Sequence, residues 1–579
     1  MLKINPNGQQ NILECMRKIG VLPESPCNGK GLCGKCKVRI LSGKVSEPTQ
    51  QEQKLLTQQE LSEGVRLACL TLPLEELQID ALDLMSEHNS CVLSAGEMPE
   101  LNMFPAVSSK SICLQAPTLA QASCLCAPLD RPCTLEALRK LPSYTGKQVF
   151  AVCSEQQVLE LREDERIYGV AIDIGTTTVA VALVELSTGE TVAEDGFVNP
   201  QKAFGLDVLS RIHYDSENEN GVRQMQQVLI QRIQQSLEKL AEQQGSNTHS
   251  IYDVVVAGNP TMIHTLLGVG LQSLGKAPYS SVFYEAPEIK AQEIGFSLAP
   301  ECRLWCVPSI SSYVGGDIVA GALVSRLDCA KDTVLFIDIG TNGEMILSKQ
   351  GRMVSCSCAA GPALEGMNIS CGMRAEPGAI ETVVLSEEKP QLQVIGNIFP
   401  RGVCGSGILD VMYQGFAYGH ITKTGRIAKG SPIAEQDSEG KRRLVLSKEH
   451  NIYVTQSDIR QVQLCKGAIL SGILTLLQQT GTEPEEVDRV VVAGQFGKHI
   501  SPQSLTGSGL IPEVLLNRIS YVGNSSMTGA QMCLLSTEER EKARRIAERV
   551  SYIELSVCEG YEKLFARCLQ FEGGQKESE

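Results

Sequence analysis

Hydrophobic and polar positions change character along the chain. From about residue 166 the pattern is regular α/β. YGVAIDI (168–174) and TVLFIDI (333–339) are apolar runs with no polar alternation, the pattern of strands covered on both faces. Each ends in Gly-Thr and leads into another apolar run, which predicts a hairpin. Helical periodicity covers 222–244 and 459–479. Upstream the pattern is weaker. KVRIL and LQIDAL read as short strands in the first 80 residues, and 50–63 reads as helix. Residues 81–165 are rich in Ser, Pro, Ala and Cys, with short strands only near their end, at KQVFAV and QQVLEL. The tail after about 570 is expected to be disordered.

The regular part repeats itself. AIDIGTTTVAVAL (171–183) and FIDIGTNGEMIL (336–347) share DIGT. DVVVAGNP (253–260) and DRVVVAGQFG (488–497) match in the same order. Two related subdomains facing one another produce such a pattern. The predicted division is 1–82, a small mixed domain; 83–165, a linker and small middle domain; and 166–579, the duplicated α/β domain.

The repeated motifs carry a nucleotide chemistry. Asp173 and Asp338 end their strands, where a carboxylate can hold hydrated Mg2+. Gly175 and Gly340 allow backbone to approach phosphate. Thr176, Thr177, Thr341 and the amides around Asn342 and Gly343 supply hydrogen-bond donors. Gly494 and Gly497 open a turn against which an adenine or ribose can lie. Gly405 and Gly407, in CGSGILD, start a helix whose N-terminus favours an anion; a plain tight turn is an equal reading. Asp317 and Glu344 are further acidic candidates, Asp317 equally as a helix cap. AAGPALEGMNISCGM (359–373) is a long Gly-rich loop with no assigned role.

The densest Gly/Cys cluster is CNGKGLCGKC (27–36). Cys27, Cys33 and Cys36 are separated by five and two residues, and Cys69 follows after thirty-two more. Four thiolates, three of them from one glycine-rich loop, suit an iron–sulfur cluster. Zinc sites usually pair two Cys-x-x-Cys knuckles, and Cys69 has no such neighbour. No stretch reads as a signal peptide or membrane span, so a cytoplasmic location is expected. There the 22 cysteines are not a disulfide framework. Cys124, Cys126, Cys133, Cys356 and Cys358 are read as free thiols. A net charge of −15 argues against nucleic acid as partner.

Residues 1 to about 80 resemble a β-grasp ferredoxin of the adrenodoxin-like spacing, which implies a 2Fe–2S cluster. The DIGT and VVVAG pairs resemble the acetate and sugar kinase, Hsp70 and actin superfamily. That implies ribonuclease H-like halves and binding of ATP with Mg2+. Taken with AFGLDVLSRI (203–212), AAGPALEGMNI and CGSGILD, the whole chain resembles the reductive activators of corrinoid-dependent enzymes. The resemblance implies ATP-dependent, one-electron reduction of cobalt(II) to cobalt(I) in the corrinoid protein of a methyl-transfer system. It also implies a low-potential electron donor and a homodimer. Two other readings stay open at this point. One is an ATP-driven activator of a radical dehydratase or aryl reductase. The other is an electron-transfer protein with a regulatory nucleotide site.

Overall fold

The two DIGT segments fold alike. Tyr168–Ile174 pairs antiparallel with Thr178–Glu185 and parallel with Ile251–Gly258. Thr178–Glu185 pairs onward with Thr191–Val198, and Ile251–Gly258 with Arg303–Cys306. In the second half, Val334–Ile339 pairs antiparallel with Gly343–Lys349 and parallel with Arg489–Ala493. Those neighbours continue to Arg352–Cys358 and Ile519–Gly523. Each half is thus a six-stranded sheet with the same five-strand order, plus one extra edge strand. Register repeats as well: Asp173 lies opposite Ala257, and Asp338 opposite Ala493. The expected hairpins and the duplicated actin-like architecture are present. The long helices run Gly221–Gln243 and Gln456–Thr480, at equivalent crossovers of the two halves.

These features come from a computed structural model that describes residues 2–5, 10–18, 21, 29, 31, 34, 36–81, 96–116, 118–119, 124–385, 389–437, 439–494 and 500–572.

The equivalent helices that follow the fifth shared strand of each half, Gly316–Val324 and Ser525–Leu535, pack against each other. Small residues permit this. A Cβ on Gly529 would stand 2.6 Å from the Ala320 Cβ and 2.7 Å from its carbonyl. The second half alone carries an insertion. It holds two three-stranded sheets (Ala379–Val384 with Gln391–Val394 and Gly402–Val403; Ala434–Gln436 with Arg442–Ser447 and Ile452–Thr455) and the helix Gly405–Ala417.

The N-terminal sheet has the order Leu2–Ile4, Leu77–Ala81, Lys37–Ser42, Val65–Leu67, with the helix Ile12–Lys18 contributing Ile12, Leu13 and Met16 to its core. The helix expected over 50–63 is two, Gln50–Leu55 and Gln58–Ser62. Leu56 leaves the helical region, and Thr57 caps a new helix by taking the Glu60 N–H.

The middle region is a three-stranded sheet, Val107–Cys113, Gln148–Ser154 and Val158–Arg162, with the helix Leu135–Lys140. It is joined to the first half: Val107, Val152 and Leu159 share that half's core, and Arg162 donates to the Tyr252 hydroxyl at 3.2 Å. The chain leading into it is docked as well. Gly96 N–H donates to Thr528 Oγ1 at 2.7 Å, and Phe104 N–H to the Leu535 carbonyl at 2.8 Å. The chain is held just ahead of the tail, whose residues 573–579 lie outside the described residues. Lys466 Nζ donates to the Gln570 carbonyl at 2.8 Å, and Phe571 is fully buried. Among the described residues no helix is long and apolar enough to cross a membrane.

A buried ion pair ties the halves together. Arg540, on the helix Thr537–Arg549, donates to Asp253 on the first half's strand Ile251–Gly258. Both side chains are buried; Arg540 donates to Asp253 Oδ2, and among the described residues Oδ1 has no hydrogen-bond partner. Removing one member leaves an uncompensated charge. We expect Arg540→Met to cost about 3–5 kcal/mol, and Asp253→Asn added to it to restore part of that loss. Chemical denaturation of the two variants and the wild type checks this.

Candidate functional site

Cys36 immediately precedes the strand Lys37–Ser42, and Cys69 sits in the turn that follows Val65–Leu67. The Ala68 N–H donates to the Cys36 carbonyl at 2.8 Å, so the two cysteines are joined through backbone. Both are buried. A hydrogen bond from Cys69 pulls the Cys36 thiol down from its ordinary range, although burial opposes it. Gly29, Gly31 and Gly34 have φ of 82°, 70° and 67°, the left-handed region. A Cβ on Gly29 would lie 3.9 Å from that of Cys69, so the glycine loop rests against the fourth cysteine. Cys27 and Cys33 lie outside the described residues.

Sequence reasoning passed over the residue that holds the Cys69 turn in place. Glu52 is fully buried. Its carboxylate accepts from Arg66 Nε and Nη2 at 3.0 Å each, from Leu67 N–H at 3.1 Å and from Thr71 Oγ1 at 3.0 Å. Burial works against the charged form, but these donors win and its pKa falls. The TxxE spacing of a capping box was the available signal.

In the duplicated domain, four carboxylates gather where the halves meet. Asp173 Oδ1 and Oδ2 accept from Ser526 Oγ at 2.7 Å and Asn524 Nδ2 at 3.0 Å, both at the start of the other half's helix Ser525–Leu535. The equivalent helix of the first half brings Asp317 toward Asp338. Desolvation pushes the carboxyls of Asp317 and Asp338 up to about 7, helped at Asp317 by repulsion from Asp338 and Asp173 and at Asp338 by repulsion from Asp173. Glu344, opposite Asp338 in the hairpin, is raised well above the usual carboxylate range by burial and by the same two aspartates. None of the four is sealed off; each retains some exposure. Among the described residues no three side chains converge to hold an ion alone.

The first DIGT loop has its carbonyls tied inward. Asn199 Nδ2 donates to the Gly175 carbonyl at 2.8 Å, Arg211 Nη2 to that of Thr176, and Asn199 N–H to that of Thr177 at 2.9 Å. Asn259 Nδ2 donates to Thr176 Oγ1 at 3.1 Å. With three successive carbonyls engaged, the amides are left for an anion. Arg211 is fully buried, and burial pulls its pKa down to about 9. AFGLDVLSRI contains Arg211 and VVVAGNP contains Asn259, while Asn199 lies in neither, and the sequence does not reveal which loop they reach.

Close approach explains several glycines. A Cβ on Gly175 would stand 2.8 Å from the Thr178 carbonyl, and one on Gly494, where φ is 94°, 2.8 Å from Asp338 Oδ1. Gly340 N–H bonds the Asn342 carbonyl at 2.9 Å, closing the second loop. A Cβ on Gly343 would meet Cys358 Sγ at 2.9 Å; Cys356 and Cys358 are buried, with pKa values raised by burial. Gly405 and Gly407 begin the helix Gly405–Ala417, where the contacts of Gly407 are with Ile380 and Val403 rather than with either DIGT loop. Gly497 lies outside the described residues. Cys124 and Cys126 are free thiols with sulfurs 3.0 Å apart, and Cys133 is half-buried.

Comparison with known proteins matches three segments of the chain. Residues 3–74 match the 2Fe–2S iron–sulfur cluster binding domain, 168–330 the RACo middle region, and 332–578 the C-terminal ASKHA domain of RACo. The last two matches meet at the junction of the structural repeats. The corrinoid activation enzyme RamQ of Eubacterium limosum is 28% identical over 96% of this chain and 95% of its own length. The [Co(II) methylated amine-specific corrinoid protein] reductase of Methanosarcina barkeri is 25% identical over 66% of this chain and 73% of its own. The solved structure of a reductive activator for corrinoid,iron-sulfur protein superposes with a TM-score of 0.74 at 32% identity, covering 99% of this chain and 98% of that one. Joined to a 2Fe–2S domain and a duplicated actin-like domain in one chain, this full-length likeness places the protein in the family of reductive activators of corrinoid proteins.

Proposed function

We propose that the protein reduces cobalt(II) of a corrinoid protein to cobalt(I), passing one electron per event and coupling the transfer to ATP. The observation that carries this is the presence in one chain of a buried Cys36–Cys69 pair beside a glycine loop and a two-half cleft lined by Asp173, Asp317 and Asp338. When bound by Cys27, Cys33, Cys36 and Cys69, the 2Fe–2S cluster supplies single-electron chemistry. The protein's own part is to hold two of those thiols close and desolvated, with Glu52 fixing the Cys69 turn.

In the cleft, Thr176, Thr177 and Thr341 offer hydroxyls to a phosphate chain. The backbone around Gly175, Gly340, Asn342 and Gly343 supplies further donors, and Gly494 leaves room beside Asp338. Asp338 and Asp317 are the carboxylates suited to Mg2+, because the oxygens of Asp173 are already engaged by Asn524 and Ser526. Gly405, Gly407 and Gly497 remain candidates for the nucleoside end.

Plant-type clusters lie near about −400 mV, and each ~59 mV of mismatch costs tenfold in a one-electron equilibrium. ATP helps only by binding one state of the complex more tightly than another. The reading is that ATP draws the two halves together in a form that docks the cobalt(II) partner, and hydrolysis separates them before the electron returns. A low-potential donor, a cytoplasmic location and a homodimer complete the proposal on family grounds.

The test follows cobalt(I) by its visible absorption after mixing reduced protein with a cobalt(II) corrinoid protein. A rise that requires Mg–ATP is expected. Cys36→Ala should abolish it while ATP still binds. Asp338→Ala should slow it by at least about 100-fold with the cluster's EPR signal intact. If the rise is the same without ATP, the coupling is refuted.

Reciprocity gives a second check. The factor by which a non-hydrolysable ATP analogue tightens corrinoid-protein binding must equal the factor by which the corrinoid protein tightens the analogue. Titration calorimetry showing no effect in either direction would refute docking control.

A further inference from the structure

Thr177 and Thr341 belong to different halves, yet both hydroxyls end on one carboxylate. Thr177 Oγ1 donates to Glu365 Oε2 at 3.2 Å, and Thr341 Oγ1 donates to Glu365 Oε1. The backbone reinforces the second contact: Gly361 N–H donates to the Thr341 carbonyl at 2.8 Å. Glu365 closes the short turn Pro362–Glu365, entered through Gly361 at φ 75° and left through Gly366 at φ 74°. A Cβ on Gly366 would stand 2.2 Å from the Met373 carbonyl, so the exit from the turn is fixed. Ala363 and Leu364 anchor it in the second half's core. The Gly-rich loop that the sequence left without a role thus delivers a carboxylate between the two loops read as phosphate-binding.

A carboxylate and a phosphate ask the same of a hydroxyl: both present anionic acceptor oxygens. A threonine hydroxyl has a single proton to donate. Each of the two threonines can therefore serve Glu365 or a phosphate oxygen, but not both. The carboxylate also repels any phosphate that comes near it.

We propose that Glu365 is an internal competitor for the phosphate chain. It occupies Thr177 and Thr341 until a nucleoside triphosphate displaces it, and so sets the affinity of the cleft for polyphosphate. This rests on the reading of the two loops as the nucleotide site. The competition is with charge, so it grows with the number of phosphates and vanishes for a nucleoside. Displacement also frees the turn Pro362–Glu365 from the first half, because Thr177 is its hydrogen-bond partner there.

The experiment is titration calorimetry of the full-length holoprotein with Mg–ATP, Mg–ADP and adenosine, for wild type, Glu365→Gln and Glu365→Ala. Glutamine keeps the shape and removes the charge; alanine removes both. ATP should tighten by about tenfold in each variant, the worth of one charge-assisted hydrogen bond. ADP should tighten less, and adenosine should be unchanged. Unchanged or weaker ATP binding in the variants would overturn the inference while leaving the nucleotide site standing. Equal tightening of ATP and adenosine would also overturn it, since a merely loosened cleft behaves that way. No binding of any of the three by wild type or variants would overturn the nucleotide reading itself.

Discussion

The molecule is organised around a concentration of negative charge that it cannot solvate. Asp173 and Asp338 end the central strands of the two halves, and the fold turns both toward the same seam. Asp317 and Glu344 add to them there. Water is partly excluded, so burial raises all four pKa values, and Asp173 and Asp338 raise Asp317 further. Such an arrangement opposes stability and is kept because the site needs it. The surrounding packing makes it tolerable. Gly494 lets a backbone pass beside Asp338, and the helices Gly316–Val324 and Ser525–Leu535 approach closely enough at Gly529 and Ala320 for the first turn of one to reach across to Asp173.

The halves are alike in fold and unlike in charge. Ser526 is the second residue of its helix, and Asp317 is the second residue of the equivalent helix. The same position therefore gives Asp173 a hydroxyl donor and gives Asp338 another acid. One central aspartate receives two neutral hydrogen-bond donors, and the other faces a second acid. The duplicated fold is in this way asymmetric in charge.

Much of this was legible in the sequence where local pattern decides structure. Uninterrupted apolar runs marked the central strands, because both faces of each sheet are covered. The paired DIGT and VVVAG segments carried the duplication down to register. The 50–63 stretch misled, because its composition is helical throughout while Thr57 restarts the helix by capping. The short strands of the insertion between 379 and 455 gave little periodic signal. Contacts between sequence-distant residues were invisible in principle. Nothing local says that Asn524 meets Asp173, that Glu52 supports the Cys69 turn, or that Glu365 reaches Thr177 from 188 positions away. Gly407 shows the converse, since packing against Ile380 accounts for a glycine whose sequence context also suits an anion.

The docking of residues 96–104 sets a limit on distance. The helix Ser525–Leu535 bonds this segment through Thr528 and Leu535, and its first turn holds Asp173. Fourteen residues, 82–95, connect it back to the strand Leu77–Ala81 of the N-terminal domain. Fully extended, they span at most about 50 Å. The N-terminal domain therefore cannot stand farther than that length from the helix whose first turn holds Asp173, and any displacement of that helix shifts the limit with it.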